Sequence, residues 1–141
     1  EESFAFIVMD VDCFKEYNDF YGHLKGDEAL REIAACIMEG ARERIYASRY
    51  GGDEFVCVCI GLTEKEIRTY IEEVRKRLHA RAIPHEKSLC SGEVTLSTGY
   101  AIGIVKTQIE VRQLLQLADH ELYQSKNSGR NTFTGKRVDI S

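Results

Sequence analysis

The chain has 141 residues, 43% of them hydrophobic and 30% charged, with a single proline and a formal net charge of -4 at pH 7. That is one domain's worth of material with enough apolar content for its own core, which excludes a disordered or low-complexity chain. The acidic balance argues against a general nucleic-acid coat, whose surface is usually basic, but leaves room for a small phosphate-bearing ligand held by a few local cations. The cysteines Cys13, Cys36, Cys57, Cys59 and Cys90 are odd in number and lack C-x-x-C spacing. They indicate neither a disulfide framework nor a zinc site and read as buried, reduced thiols of a cytoplasmic protein. No apolar stretch approaches the roughly 20 residues of a membrane helix, and no secretory leader is visible.

Phe4 to Met9 is a continuous apolar run, too short for most helices, and predicts a central strand buried on both faces and ending in Asp10-Val11-Asp12. After a short acidic and aromatic stretch, Leu30, Ile33, Ala34, Ile37 and Met38 fall at three- and four-residue spacing, predicting a helix that begins at Asp27. Ile45 to Tyr50 and Phe55 to Ile60 read as the arms of a hairpin with Gly51-Gly52 at its tip. Thr63 and Glu66 form a capping box ahead of the stripe Ile67, Ile71, Val74 and Leu78. Ala82 to Gly92 reads as a loop, and Glu93 to Val105 as a strand with Gly99 marking a bulge or a close approach. Val111, Leu114, Leu115, Ala118 and Leu122 mark a further helix that stops near Gly129, and Thr132 to Thr134 could add a short edge strand. The order is β-α-β-β-α-β followed by a helix and a short extra strand: an α+β fold with a ferredoxin-like core and an antiparallel central sheet.

In that arrangement the end of the first strand and the hairpin tip lie side by side, which places Asp10 near Asp53 and Glu54. Three carboxylates so close resist ionising together unless a cation holds them, and carboxylate oxygens suit Mg²⁺ or Mn²⁺. The alternative is that Asp10 and Asp12 merely cap the following turn, while Asp53 and Glu54 are the solvated acids of a surface hairpin. Gly51 and Gly52 would let a bulky ligand lie against bare backbone. Asn18 and Asp27 offer an amide and a carboxylate able to read the edges of a guanine, although each alone could be a turn residue or a helix cap. Lys126 and Arg130 flank a glycine-containing loop at a spacing able to grip polyphosphate, though a lone basic pair is usually just solvated.

The segments D-V-D-C-F-K (10 to 15), N-D-F-Y-G-H-L-K-G-D (18 to 27), R-Y-G-G-D-E-F (49 to 55), S-T-G-Y-A (97 to 101), A-D-H-E-L-Y-Q-S-K (118 to 126) and G-R-N (129 to 131) together resemble the GGDEF family of diguanylate cyclases. The resemblance implies a palm-type nucleotide-cyclase fold and the condensation of two GTP molecules into cyclic di-GMP with release of two pyrophosphates. It implies metal positions at Asp10, the Val11 carbonyl, Asp53 and Glu54, with Mg²⁺ or Mn²⁺ bound as a pair. Asp53, as proton acceptor, and Glu54 would be the catalytic residues. Guanine contacts fall on Asn18 and Asp27, with His23 beside the nucleotide; retention of Asp27 implies GTP rather than ATP. Phosphate contacts fall on Phe14, Lys15, Lys126 and Arg130. One site would hold one GTP, so two protomers must meet in a transient homodimer. No nucleic-acid or membrane contact is expected of this segment.

The chain begins at Glu1-Glu2-Ser3, just ahead of a strand, and lacks the D-x-L-T-G-L-x-N-R type leader helix of many relatives. This is what a single domain over 1–141, excised from a longer protein with an upstream sensory or regulatory part, would look like; that parent could be the cytoplasmic part of a membrane-bound sensor. A non-catalytic GTP-sensing module that regulates a partner domain is the alternative reading. A product receptor is disfavoured, because the R-x-x-D product-inhibition site is degenerate: the register gives Arg42 and then Ile45 where an aspartate is usual. Isoleucine accepts no hydrogen bond from a bound guanine. Feedback inhibition through this site is therefore expected to be weak or absent, and tight cyclic di-GMP binding that Arg42→Ala abolishes in calorimetry would be the contrary result.

Overall fold

The computed structural model describes residues 2–138. Strand β1 (Phe4–Val11) lies between β3 (Glu54–Ile60) and β4 (Leu96–Gly103), antiparallel to both. Outside β3 runs β2 (Ile45–Gly51), also antiparallel, and outside β4 runs β5 (Phe133–Val138), which is parallel, giving the order β2-β3-β1-β4-β5. With α1 (Phe14–Tyr21), α2 (His23–Gly40) and α3 (Glu64–Arg81), the first four strands form the expected α+β ferredoxin-like core. Helix α4 (Gln108–Asn127) carries the chain back along the sheet, so the extra strand enters parallel to β4.

Strand β1 is apolar from Phe4 to Met9 because both of its faces are covered there. Ala5, Ile7 and Met9 join the larger core with Ile33 and Ile37 of α2 and Ile67, Ile71 and Val74 of α3. Phe6 and Val8 point the other way, onto Leu114, Ala118 and Leu122 of α4. Strand β3 shows the alternation of a half-covered strand: Phe55, Cys57 and Cys59 are buried, while Val56 and Val58 are only partly so.

The predicted capping box of α3 is formed, with the Glu66 N–H donating to Thr63 Oγ1 at 3.1 Å and the Thr63 N–H donating to Glu66 Oε1 at 3.0 Å. Gly99 is a close-approach site and not a bulge, since the β1–β4 register runs through it without a break. A Cβ there would lie 2.1 Å from the Leu122 nitrogen and 2.5 Å from the Ala118 oxygen, so glycine lets the α4 backbone rest on the sheet. Cys57 and Cys59 are core residues, and burial pushes the Cys57 thiol up to about 12. Cys13 and Cys90 depart from the expected burial, being partly exposed; all five thiols are free.

Two further expectations are corrected. The acidic and aromatic stretch after β1 is itself the helix α1, and α2 starts at His23, so Asp27 lies in its second turn and is no N-cap. Both helix starts lack a side-chain cap, and Gly22 (φ 92°, ψ 161°) separates the two helices. Only Tyr17 of α1 is buried, which leaves no apolar stripe to mark that helix in the sequence. The strand expected over Glu93 to Val105 is shorter, at Leu96–Gly103, while the edge strand expected at Thr132 to Thr134 is longer. Gly99→Ala is expected to destabilise the domain by about 3 kcal/mol, because the colliding atoms are backbone and cannot swing away. In urea unfolding, Gly92→Ala, with nothing near its Cβ, should stay within about 0.5 kcal/mol of the parent.

Candidate active site

Register brings the acidic residues together. Asp10, the penultimate residue of β1, pairs with Glu54 at the start of β3, and the Val11 N–H donates to the Asp53 carbonyl at 3.1 Å. The hairpin tip between β2 and β3 is held by Arg49, whose Nε and Nη2 donate to the Gly52 carbonyl at 2.9 and 2.7 Å. Gly51 (φ 141°) and Gly52 (φ 22°) both have positive φ, and no heavy atom lies within 4 Å of where a Cβ would sit on either. The tip is the bare backbone expected beside two carboxylates.

The Asp10 side chain is only 15% exposed. Lys126, from the last turn of α4, is ion-paired with its Oδ2, whereas Oδ1 is buried without a hydrogen-bond partner. Burial, followed by the charge of Asp10, holds the Asp53 carboxyl above its ordinary value. Glu54 is raised by burial, then by Asp10 and then by Asp119. Asp119 stands seven residues before Lys126 on α4, and its own carboxyl is raised by burial. It is an acidic neighbour that sequence reasoning quoted only as part of a motif; its two-turn spacing from Lys126 was the available signal.

Among the described residues no three His, Cys, Asp or Glu side chains converge as a ready-made metal cage. Such a cage is not what Mg²⁺ requires, because that ion is usually held by one or two carboxylates and completes its shell with water and substrate phosphates. The orphaned Oδ1 of Asp10 and the raised Asp53 and Glu54 are a donor set short of positive charge, so the residues fit a divalent cation.

Asp12, two residues beyond Asp10, has a structural part that sequence left ambiguous. Its Oδ1 accepts from Ser97 Oγ at 2.5 Å, and its Oδ2 accepts from Thr95 Oγ1 at 2.7 Å and from the Asn131 N–H at 3.0 Å. The last of these bonds draws the loop after α4 against the strand end. Gly129, Arg130 and Asn131 all take positive φ there, and the Arg130 N–H donates to the Ser125 carbonyl at 3.1 Å, closing the loop on the end of α4.

On the other flank, Asn18 of α1 sits against Gly26 of α2. A Cβ at Gly26 would fall 1.8 Å from Asn18 Oδ1, an oxygen that is itself buried and unpartnered. Gly26 is thus a second residue whose part went unread. Asp27 lines a cavity of about 390 Å³ with Leu30, Arg31, Ala34, Ile37, Arg49 and Phe55. His23 is exposed at the start of α2. Phe14 opens α1 and stacks on Tyr17, with ring centroids 6.1 Å apart. The Lys15 ammonium is exposed and paired with Asp19 at 2.9 Å. Because no side chain caps α1, its first N–H groups are available to an anion. Arg42 lies 3.6 Å from Glu73, and Ile45 is buried in the core opposite Cys59.

The sequence matches the family model described as "Diguanylate cyclase, GGDEF domain" over residues 1–132, and the chain belongs to that family. It is 34% identical over 125 residues to diguanylate cyclase DosC of Escherichia coli, covering 89% of this chain and 26% of that protein. Diguanylate cyclase VdcA of Vibrio cholerae is 36% identical over 128 residues, covering 90% and 37%. The chain thus spans about a quarter to a little over a third of these relatives. Among solved structures, the GGDEF domain of DgcB from Caulobacter crescentus in complex with c-di-GMP superposes with a TM-score of 0.82 at 32% identity, covering 95% of this chain and 78% of that one. SiaD of Pseudomonas aeruginosa, solved with its activator SiaC, gives 0.76 at 30% identity, covering 98% and 50%. No helix of the described residues is long and apolar enough to cross a membrane.

With folded-state values raised above those of the unfolded chain, Asp53 and Glu54 favour folding fully below about pH 4, the unfolded range, and that contribution is lost as pH rises through the raised values. Asp53→Asn is therefore expected to raise the thermal midpoint of the chelator-treated protein at neutral pH, and the gain should fade as the pH falls toward about 4. Circular dichroism melts across that range measure it; a gain that grows on acidification is the opposite outcome.

Proposed function

We propose that this domain is a diguanylate cyclase, condensing two GTP into cyclic di-GMP and two pyrophosphates. The observation that carries the reading is the acidic edge itself, where burial and then Asp10 raise the carboxyls of Asp53 and Glu54, with a pocket lined by Asp27, Arg49 and Phe55 starting at the next residue of β3. Asn18 and Asp27 would read the guanine, the first by its unpartnered oxygen and the second from the cavity wall. The uncapped start of α1 at Phe14 and Lys15 would take phosphate oxygens together with Lys126 and Arg130, and His23 would flank the nucleotide.

Asp10, the Val11 carbonyl, Asp53 and Glu54 would hold Mg²⁺ or Mn²⁺, whose charge would acidify the attacking 3′-hydroxyl and offset charge developing on the phosphate. Asp53 would accept the proton of that hydroxyl, and a carboxyl raised by burial is a better base than a free one. Gly51 and Gly52 leave the tip open for the second nucleotide. Since one such edge presents one set of these groups, two protomers would meet face to face with a GTP each. The solved relatives include SiaD with its activator and DgcB with a coiled coil, which supports regulation of this domain by a partner or a further segment. The free thiols support a reducing, cytoplasmic setting.

Incubation with GTP and Mg²⁺ or Mn²⁺ should yield cyclic di-GMP on chromatography, at a specific activity that rises with enzyme concentration. Asp53→Ala should lower the rate by about a hundredfold or more. GTP binding without product at any concentration would instead favour the GTP-sensing module.

A further inference from the structure

The turn that joins Asp10 and Val11 to α1 contains a residue in an unfavourable conformation. Cys13 adopts φ 54° and ψ 39°, the left-handed region, where a side chain other than that of Gly, Asn or Asp is seldom found. It has no choice locally. Asp12 is fixed on one side by Thr95, Ser97 and the Asn131 N–H, and α1 must begin at Phe14 on the other. A strained residue at such a place persists only when its surroundings over-determine it.

His85 supplies that constraint. It is 1% exposed, and its Nε2 lies 2.9 Å from the Cys13 carbonyl oxygen, which also accepts the Tyr17 N–H at 3.1 Å. A carbonyl only accepts, so Nε2 carries the proton. The other ring nitrogen, Nδ1, is buried without a partner, which is unfavourable for an imidazole that served only as packing. A phenylalanine would fill the space against Tyr17, whose ring meets His85 edge-on at 5.2 Å, without that penalty. The loop bearing His85 is itself anchored, by the His85 N–H to the Gly92 carbonyl at 3.0 Å and the Glu86 N–H to Tyr21 Oη at 2.9 Å.

We propose that His85 is a positioning residue. Its Nε2–H latches the Cys13 carbonyl and so holds the left-handed turn that aims Asp10, Val11 and the α1 N-terminus at one nucleotide. The inference rests on the cyclase reading for its catalytic consequence but not for its structural content, and the two can be told apart. His85→Phe, which keeps a ring and loses the donor, should lower kcat/KM by roughly tenfold to a hundredfold through turn misplacement. His85→Gln, which retains an amide donor, should recover most of it, to within about threefold of the parent.

The decisive comparison is Cys13→Gly, because glycine adopts positive φ without strain and needs no latch. In that background His85→Phe should lose at most about threefold in kcat/KM, and much less of its thermal midpoint than in the Cys13 background. Equal losses in both backgrounds would reduce His85 to a packing residue and overturn the proposal. Should the parent make no cyclic di-GMP, the cyclase reading fails, while the same four proteins still decide the latch by thermal midpoints and by calorimetric affinity for a non-hydrolysable GTP analogue.

Discussion

Three donors from distant parts of the chain converge on the buried carboxylate of Asp12: two hydroxyls on either side of the start of β4, and a backbone N–H from the loop after α4. Burying a carboxylate is unfavourable unless it is fully hydrogen-bonded, and each donor would in turn be stranded without it. The arrangement therefore has little freedom to slip. It fixes the end of β1 relative to β4, and through Asn131 it draws the loop after α4 toward the edge where Asp10 meets Lys126. With β1 central, the β1–β3 register then sets Glu54 opposite Asp10, and the Val11 N–H holds the Asp53 carbonyl beside them.

The acidic edge works in the opposite direction. Burial and then the charge of Asp10 disfavour the ionised forms of Asp53 and Glu54, with Asp119 adding to the field at Glu54, and Lys126 answers only part of it. Such locally unfavourable groupings are common where a site binds something from solution, which is what the proposed cyclase activity requires of this edge. The sheet can bear this because the repulsion is confined to strand ends, while Ala5 to Met9 are packed between two layers of helix.

How much of this could be read in the sequence depended on how far each signal lay from its cause. The central strand, the hairpin and the α3 capping box are local patterns, and all three were legible. The GGDEF motif and the acids around it were legible, and Asp10 stood among the metal positions, but the part of Asp12 was not legible. The two acids stand two residues apart in one short segment, and what separates them is the company of Thr95, Ser97 and Asn131. Helix α1 was missed because it buries only Tyr17 and carries no cap. His85 read as one more loop residue after Pro84, since its partner lies 72 positions earlier. The parallel entry of β5 is set by the path of α4, which no pattern within Phe133 to Val138 records.

Ile45 bears on the packing of the core as well as on the chemistry expected of its position. Its side chain is not an idle replacement on the surface but part of the larger hydrophobic core, 6% exposed and opposite Cys59 in the sheet. Returning a carboxylate to that position would remove apolar packing and place an unpaired charge beside buried strands, a change unfavourable by several kcal/mol before any ligand arrived. An aspartate at this position would therefore need compensating changes in its neighbours, because the isoleucine side chain closes one end of the core.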